Sequence, residues 1–212
     1  MTDAVFWFDF ASPNAYLSHR VIPDIEARTW VKFRYVPTLL GGLFKLTGNQ
    51  APMVAFGGIK NKLAYEGLET RRFIGRHGLT AFRMNPHFPV NTLKIMRGAV
   101  AAQGLGVFET YVEAMFRAMW EDGRKMDDPG EINAVVTAAG IDAAALVARS
   151  EQPQVKQGLI DNTEAACEAG AFGIPTFAVD GQIWFGKDRL REVEEAMGKG
   201  PAAPRRREER RP

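Results

Sequence analysis

The chain has 212 residues, 46% hydrophobic and 25% charged, which fits one generous globular domain or a domain with a large insertion. No apolar run nears the roughly 20 residues of a membrane helix and no leader-like segment opens the chain, so a cytoplasmic protein without membrane contact is expected. The formal charge of +2 sits in residues 201–212, where five Arg face two Glu; that net +3 leaves −1 elsewhere, and a nucleic-acid partner is not expected.

Residues 4–10, "AVFWFDF", read as a buried strand with polar Asp9 near its end. An apolar stripe at helical period predicts a helix over 13–28, kinked or broken at Pro23. "WVKFRYVP", from Trp30 to Pro37, alternates as a second strand. Strand, helix and strand in so short a span imply a parallel pair with a right-handed crossover. From Leu39 to about Gly170 the pattern is helical, near 61–77, 91–104, 107–122, 129–139, 142–150 and 153–169. Asn91 and Asp142 are the expected N-caps, and Gly78, Gly104, Gly140 and Gly170 the expected stops. "IPTFAVDGQIWFG" (174–186) reads as a hairpin turning at Asp180-Gly181, and a last helix is expected from Asp188 to Gly198.

This order gives an α/β, thioredoxin-like fold, with a large all-helical insertion between its β-α-β and β-β-α halves. The thioredoxin-like part is assigned to 1–38 and 171–198 and the insertion to 39–170. Residues 199–212 are expected to form a disordered Arg-rich tail. The lone Cys167 excludes an internal disulfide and a two-thiol redox site, and His19, His77 and His87 lack metal-ligand spacing, so no metal is expected.

Three short stretches carry the chemistry. Ser12-Pro13, at the strand-to-helix junction, is first of all a good N-cap followed by a proline suited to the first helical position. The same helix start can stabilise an anion, and the four residues Ser12 to Ala15 contain no sulfur of their own. A thiolate held there must come from a ligand. In "FGIPTF" (172–177), Pro175 reads either as an ordinary strand start or as a cis proline that leaves the Ile174 backbone free to pair with a peptide. In "FGKDRL" (185–190), Asp188 reads as a helix cap and as a partner for a ligand ammonium.

Together with "FDFASPNAYL", "GGLFKLTGNQAP" (41–52) and "NPHFPVNTL" (85–93), these stretches resemble the 2-hydroxychromene-2-carboxylate isomerase family, close to kappa-class glutathione transferases and DsbA-like proteins. The resemblance implies glutathione as cofactor, with Ser12 hydrogen-bonding its sulfur as the catalytic contact. Asn49, Ile174 and Pro175 would hold the peptide, and Phe185, Gly186, Lys187 and Asp188 its γ-glutamyl end. Lys187 departs from the smaller polar residue usual there, and apolar "APMVAFGG" (51–58) replaces a basic/amide pair. Lys62, Phe88 and Asn91 are the candidate contacts for an aromatic or conjugated carbonyl substrate. A helix-start lysine such as Lys62 is usually just solvated, and Phe88 reads equally as core.

The expected activity is glutathione-dependent isomerisation, placed in aromatic catabolism by the resemblance. The alternatives are a kappa-like transferase or peroxidase, and a non-catalytic binding module. A Met- and Phe-rich set in the insertion (Phe44, Met53, Phe56, Phe82, Met84, Phe88, Met115, Met119) would fill its core and, in part, wall a substrate pocket. The oligomeric state stays open, with a homodimer as the expectation.

Overall fold

The computed structural model describes residues 2–198, so the Arg-rich tail falls outside the described residues. Strand β1 is Ala4–Phe8, helix α1 Pro13–Thr29 and strand β2 Phe33–Pro37. Eight helices follow: α2 (Leu40–Thr47), α3 (Pro52–Ala55), α4 (Lys62–His77), α5 (Leu93–Leu105), α6 (Phe108–Trp120), α7 (Pro129–Ala138), α8 (Ala143–Ser150) and α9 (Pro153–Glu168). Strands β3 (Thr176–Val179) and β4 (Gln182–Phe185), a 3-10 turn over Lys187–Arg189 and helix α10 (Leu190–Met197) complete the chain.

The sheet order is β2-β1-β3-β4, with β1 parallel to β2 and antiparallel to β3, and β3 antiparallel to β4. This is the expected thioredoxin-like arrangement, with the helical block lying between its halves in sequence. β1 has a neighbour on each side and is buried along all five residues, which is why its sequence runs apolar without alternating. One hydrophobic cluster runs from Phe6, Phe8 and Phe177 through Phe10 and Phe116 to Trp120 and Met119. The insertion therefore shares the core of the sheet.

Several boundaries differ from expectation, each for a local reason. α1 runs through Pro23 as a single helix and ends at Trp30, whose left-handed backbone and exposed ring remove it from the second strand. α2 and α3 replace an expected loop. Gly41 and Gly42 lower the intrinsic helix preference of α2, and α3 is one turn long. α5 starts after Thr92, not Asn91, whose Oδ1 instead accepts from Leu93 N, and it passes Gly104 to stop at Gly106. Asp188 caps no helix: α10 begins after Arg189, beyond the 3-10 turn. The hairpin turns at Asp180 and Gly181, both with positive φ, as a two-residue turn of this hand requires.

Candidate functional site

The end of β1 delivers Asp9, Phe10 and Ala11 to the start of α1, and Ser12 sits at that corner, 5% exposed. Its N–H donates to Asp9 O (3.1 Å), and its Oγ accepts from Ala15 N (3.2 Å) as an N-cap does. Pro13 has no N–H. The Asn14 N–H is thus the first-turn donor without a partner among the described residues. A helix start with an open donor favours negative charge beside it.

The Ile174–Pro175 bond is cis, as the strand-start proline led us to expect. Ser12 Oγ donates to Ile174 O at 3.1 Å, so two candidate contacts 162 residues apart satisfy one another. A hydroxyl has one proton to give. To donate to a ligand sulfur, Ser12 must release the Ile174 carbonyl, whose second lone pair can accept from a peptide N–H in either state.

The remaining candidates fall into two groups. Asn49 Nδ2 donates to Phe172 O (2.7 Å), holding the α2–α3 link against the segment that leads to Pro175. Gly186 N donates to Pro175 O (2.9 Å), and the Phe185 ring packs on Phe172 with centroids 4.6 Å apart. Gly173 is required here: a Cβ would lie 2.8 Å from the Phe185 ring. Asn49, Ile174, Pro175, Phe185 and Gly186 are thereby gathered around one loop, which Ser12 joins through Ile174.

Lys187 is the surprise. Its side chain is buried, with Nζ 5.3 Å from the Phe73 ring centre on α4 and 2.8 and 2.9 Å from the two oxygens of Asp188. Sequence reasoning placed both residues at a ligand's γ-glutamyl end; in the structure each already has the other. Lys62 pairs with Glu66 and lies over Phe56, and no contact ties it to the Ser12 corner. Phe88 packs on Trp120, whose Nε1 donates to Phe10 O (2.9 Å), so that indole links it to the corner. Asn91 is exposed and engaged with its own backbone turn.

Of the Met- and Phe-rich set, Met115 and Met119 are fully buried, and Phe82 and Phe88 pack half-buried on the same core. Met53, Phe56 and Met84 are exposed, with Val54 and Ile59 beside the first two in sequence. α3 contains no buried residue at all.

Asp9, which sequence reasoning left as a polar strand residue, ties the corner together. It is fully buried and accepts from Ala11 N (2.9 Å), Leu40 N (2.7 Å) and Thr92 Oγ1 (2.7 Å). Burial pushes its carboxyl above the ordinary value, against those three bonds, which favour the anion. It joins the Ser12 corner to the starts of α2 and α5. The available signal was a lone acid among four aromatic residues in "FWFDF". Among the described residues, no group of three or more His, Cys, Asp or Glu could hold a metal, and no helix is long and apolar enough to cross a membrane.

Comparison with known proteins agrees with the fold. A family model described as a DSBA-like thioredoxin domain matches residues 4–198. The chain is 28% identical to human glutathione S-transferase kappa 1 over 93% of each protein. It is 26% identical to the 2-hydroxychromene-2-carboxylate isomerase of Pseudomonas putida, covering 92% of this chain and 93% of the relative. A solved structure of a 2-hydroxychromene-2-carboxylate isomerase superposes with a TM-score of 0.76 at 27% identity, over 92% of this chain and 94% of that one. A probable DsbA oxidoreductase from Streptomyces coelicolor superposes at 0.75 and 20% identity, over 97% of this chain and 93% of that one, a likeness of fold alone.

Proposed function

We propose that this chain, which belongs to the DSBA-like thioredoxin domain family, is a glutathione-dependent isomerase that holds the tripeptide's thiolate at Ser12. The observation that carries the reading is the Ser12 corner: a helix start with an open N–H and a hydroxyl facing a cis proline, and no protein thiol among Ser12 to Ala15. The glutathione named in the kappa-class relative supplies the missing sulfur.

A free thiol of this kind has a pKa near ~8.5, so only a few per cent is ionised at neutral pH. Field and hydroxyl together would lower it by about one to two units, at roughly 1.4 kcal/mol per unit in favour of the thiolate. Bound glutathione would supply a thiolate able to add reversibly to a conjugated carbon and to leave unchanged after rotation about the bond that is single in the adduct. Ser12 and the Asn14 N–H would hold its sulfur as an anion at the start of α1. Ser12 stabilises the sulfur and never bonds to carbon.

In this reading Asn49 and the Ile174 backbone hold the peptide, and residues 185–188 meet its γ-glutamyl end. Met53, Val54 and Phe56 offer apolar surface for the second substrate. The resemblance to the human kappa transferase favours one alternative, in which the adduct is released. Incubating the protein with a hydroxychromene carboxylate and catalytic glutathione separates the outcomes. Isomer without thiol loss supports the isomerase; stoichiometric thiol loss means a transferase; binding without turnover leaves a binding module.

A further inference from the structure

Away from the Ser12 corner, the helical block contains a cavity of about 240 Å³ lined by residues of α5, α6, α7 and α8. At ~30 Å³ per water that is space for about eight waters, or for one small ring with a short acidic arm. Ile132, Val136, Leu146 and Val147 give it apolar walls. Its buried polar wall is already satisfied, since Tyr111 Oη donates to Ile95 O at 2.9 Å. Ser150 Oγ likewise donates to Val147 O at 2.8 Å.

Two cations in the lining stand apart from this. Lys94 and Arg97 lie one turn apart on α5, and neither has a hydrogen bond or salt bridge among the described residues. Arg97 is half-buried. The one acidic group in the lining, Glu151, is matched by Lys156 at 2.6 Å, which first of all holds its carboxyl below the usual range. Apolar walls beside two cations that have no hydrogen-bonded partner, and that Glu151 and Asp128 meet only at longer range, are complementary to an apolar acid. We propose that this cavity is a second ligand site, taking a small aromatic or short aliphatic carboxylate. Its hydrocarbon part lies among α7 and α8, and its carboxylate is met by Arg97 and Lys94. The site is independent of the reading given to Ser12.

The test is amide chemical-shift mapping on the full chain with phenylacetate, and with benzyl alcohol as its uncharged counterpart. Phenylacetate should shift residues of α5, α7 and α8 saturably and bind about tenfold tighter than benzyl alcohol. Arg97→Met should remove most of that margin while leaving benzyl alcohol unchanged, and Arg97→Lys should keep part of it. Saturating glutathione should leave the shifts in place. Equal binding of the two probes, shifts that map to the Ser12 corner or vanish with glutathione, or no saturable shift would each overturn the assignment. The two-probe comparison on the unaltered protein needs no variant to fold.

Discussion

The Ser12 corner and the surface around α3 are built on opposite principles. At the corner, Asp9, Ser12 and Ile174 are buried and joined by hydrogen bonds with partners 31, 83 and 162 residues away in sequence. Around α3, Met53, Val54, Phe56 and Ile59 are exposed, and no residue of the helix is buried. Under the function proposed above, the difference separates two tasks. A site for one constant ligand is best held rigid before the ligand arrives. A face for a second, apolar reactant can be left loosely packed and ordered by what lands on it.

The strongest test of the rigid side is Asp9→Asn. Whichever way the amide turns, its NH2 meets a backbone N–H, of Ala11 or of Leu40, where the carboxylate accepted, so we expect a loss of about 2–4 kcal/mol in urea unfolding. The pH dependence adds a sign. The native carboxyl titrates above its unfolded value of 3.8, so native Asp9 binds more protons than unfolded Asp9 in the window above 3.8. Its contribution therefore falls as pH rises through that window, and the Asn variant should lack this fall. An Asn variant as stable as the parent would show that the corner is not bolted through Asp9.

Ser12→Ala should raise the bound thiol's pKa by about one unit, roughly 1.4 kcal/mol, while peptide affinity stays largely intact. Ultraviolet absorbance of bound thiolate against pH reads this directly, and an unmoved titration removes Ser12 from the chemistry. Lys187→Met should cost less than about 1 kcal/mol of stability, because a long apolar side chain fills the same buried space against Phe73. It would also free Asp188 for a ligand ammonium, so glutathione should bind a few-fold tighter by calorimetry. Weaker binding would mean that Lys187 itself serves the ligand. On the loose side, Phe56→Ser should change stability by less than about 0.5 kcal/mol yet raise KM for the apolar substrate. A large stability loss there would collapse the contrast between the two regions.

Which parts the sequence disclosed follows from the range of the forces involved. The hairpin at Asp180-Gly181, the cis proline after Ile174 and the parallel pair of β1 and β2 rest on local patterns and topology, and all were legible. So was Ser12 as a cap, since Ala15 lies three residues on. α2 was hidden because Gly41 and Gly42 argue locally for a loop, while Leu43, buried in the common core, argues for a helix only in three dimensions. The burial of Lys187 depends on Phe73, more than a hundred residues earlier, and no local signal carries it. Asp9 showed an odd residue in an apolar strand, but its partners at Leu40 and Thr92 exist only once the chain is folded.

The bond between Ser12 and Ile174 has a consequence for how the protein is made. During synthesis α1 and its cap can form early, whereas the carbonyl that Ser12 reaches emerges 162 residues later. Until then β1 also lacks its β3 neighbour, leaving the Ala4–Trp7 edge unpaired beside buried-type aromatic residues. Any fragment released before residue 174 would carry most of the helices, no complete site and an open apolar strand edge, the kind of surface that pairs with another unfinished chain. The Ser12 corner is thus completed only once residues 174–179 have emerged, and until then the β3-facing edge of β1 stays open.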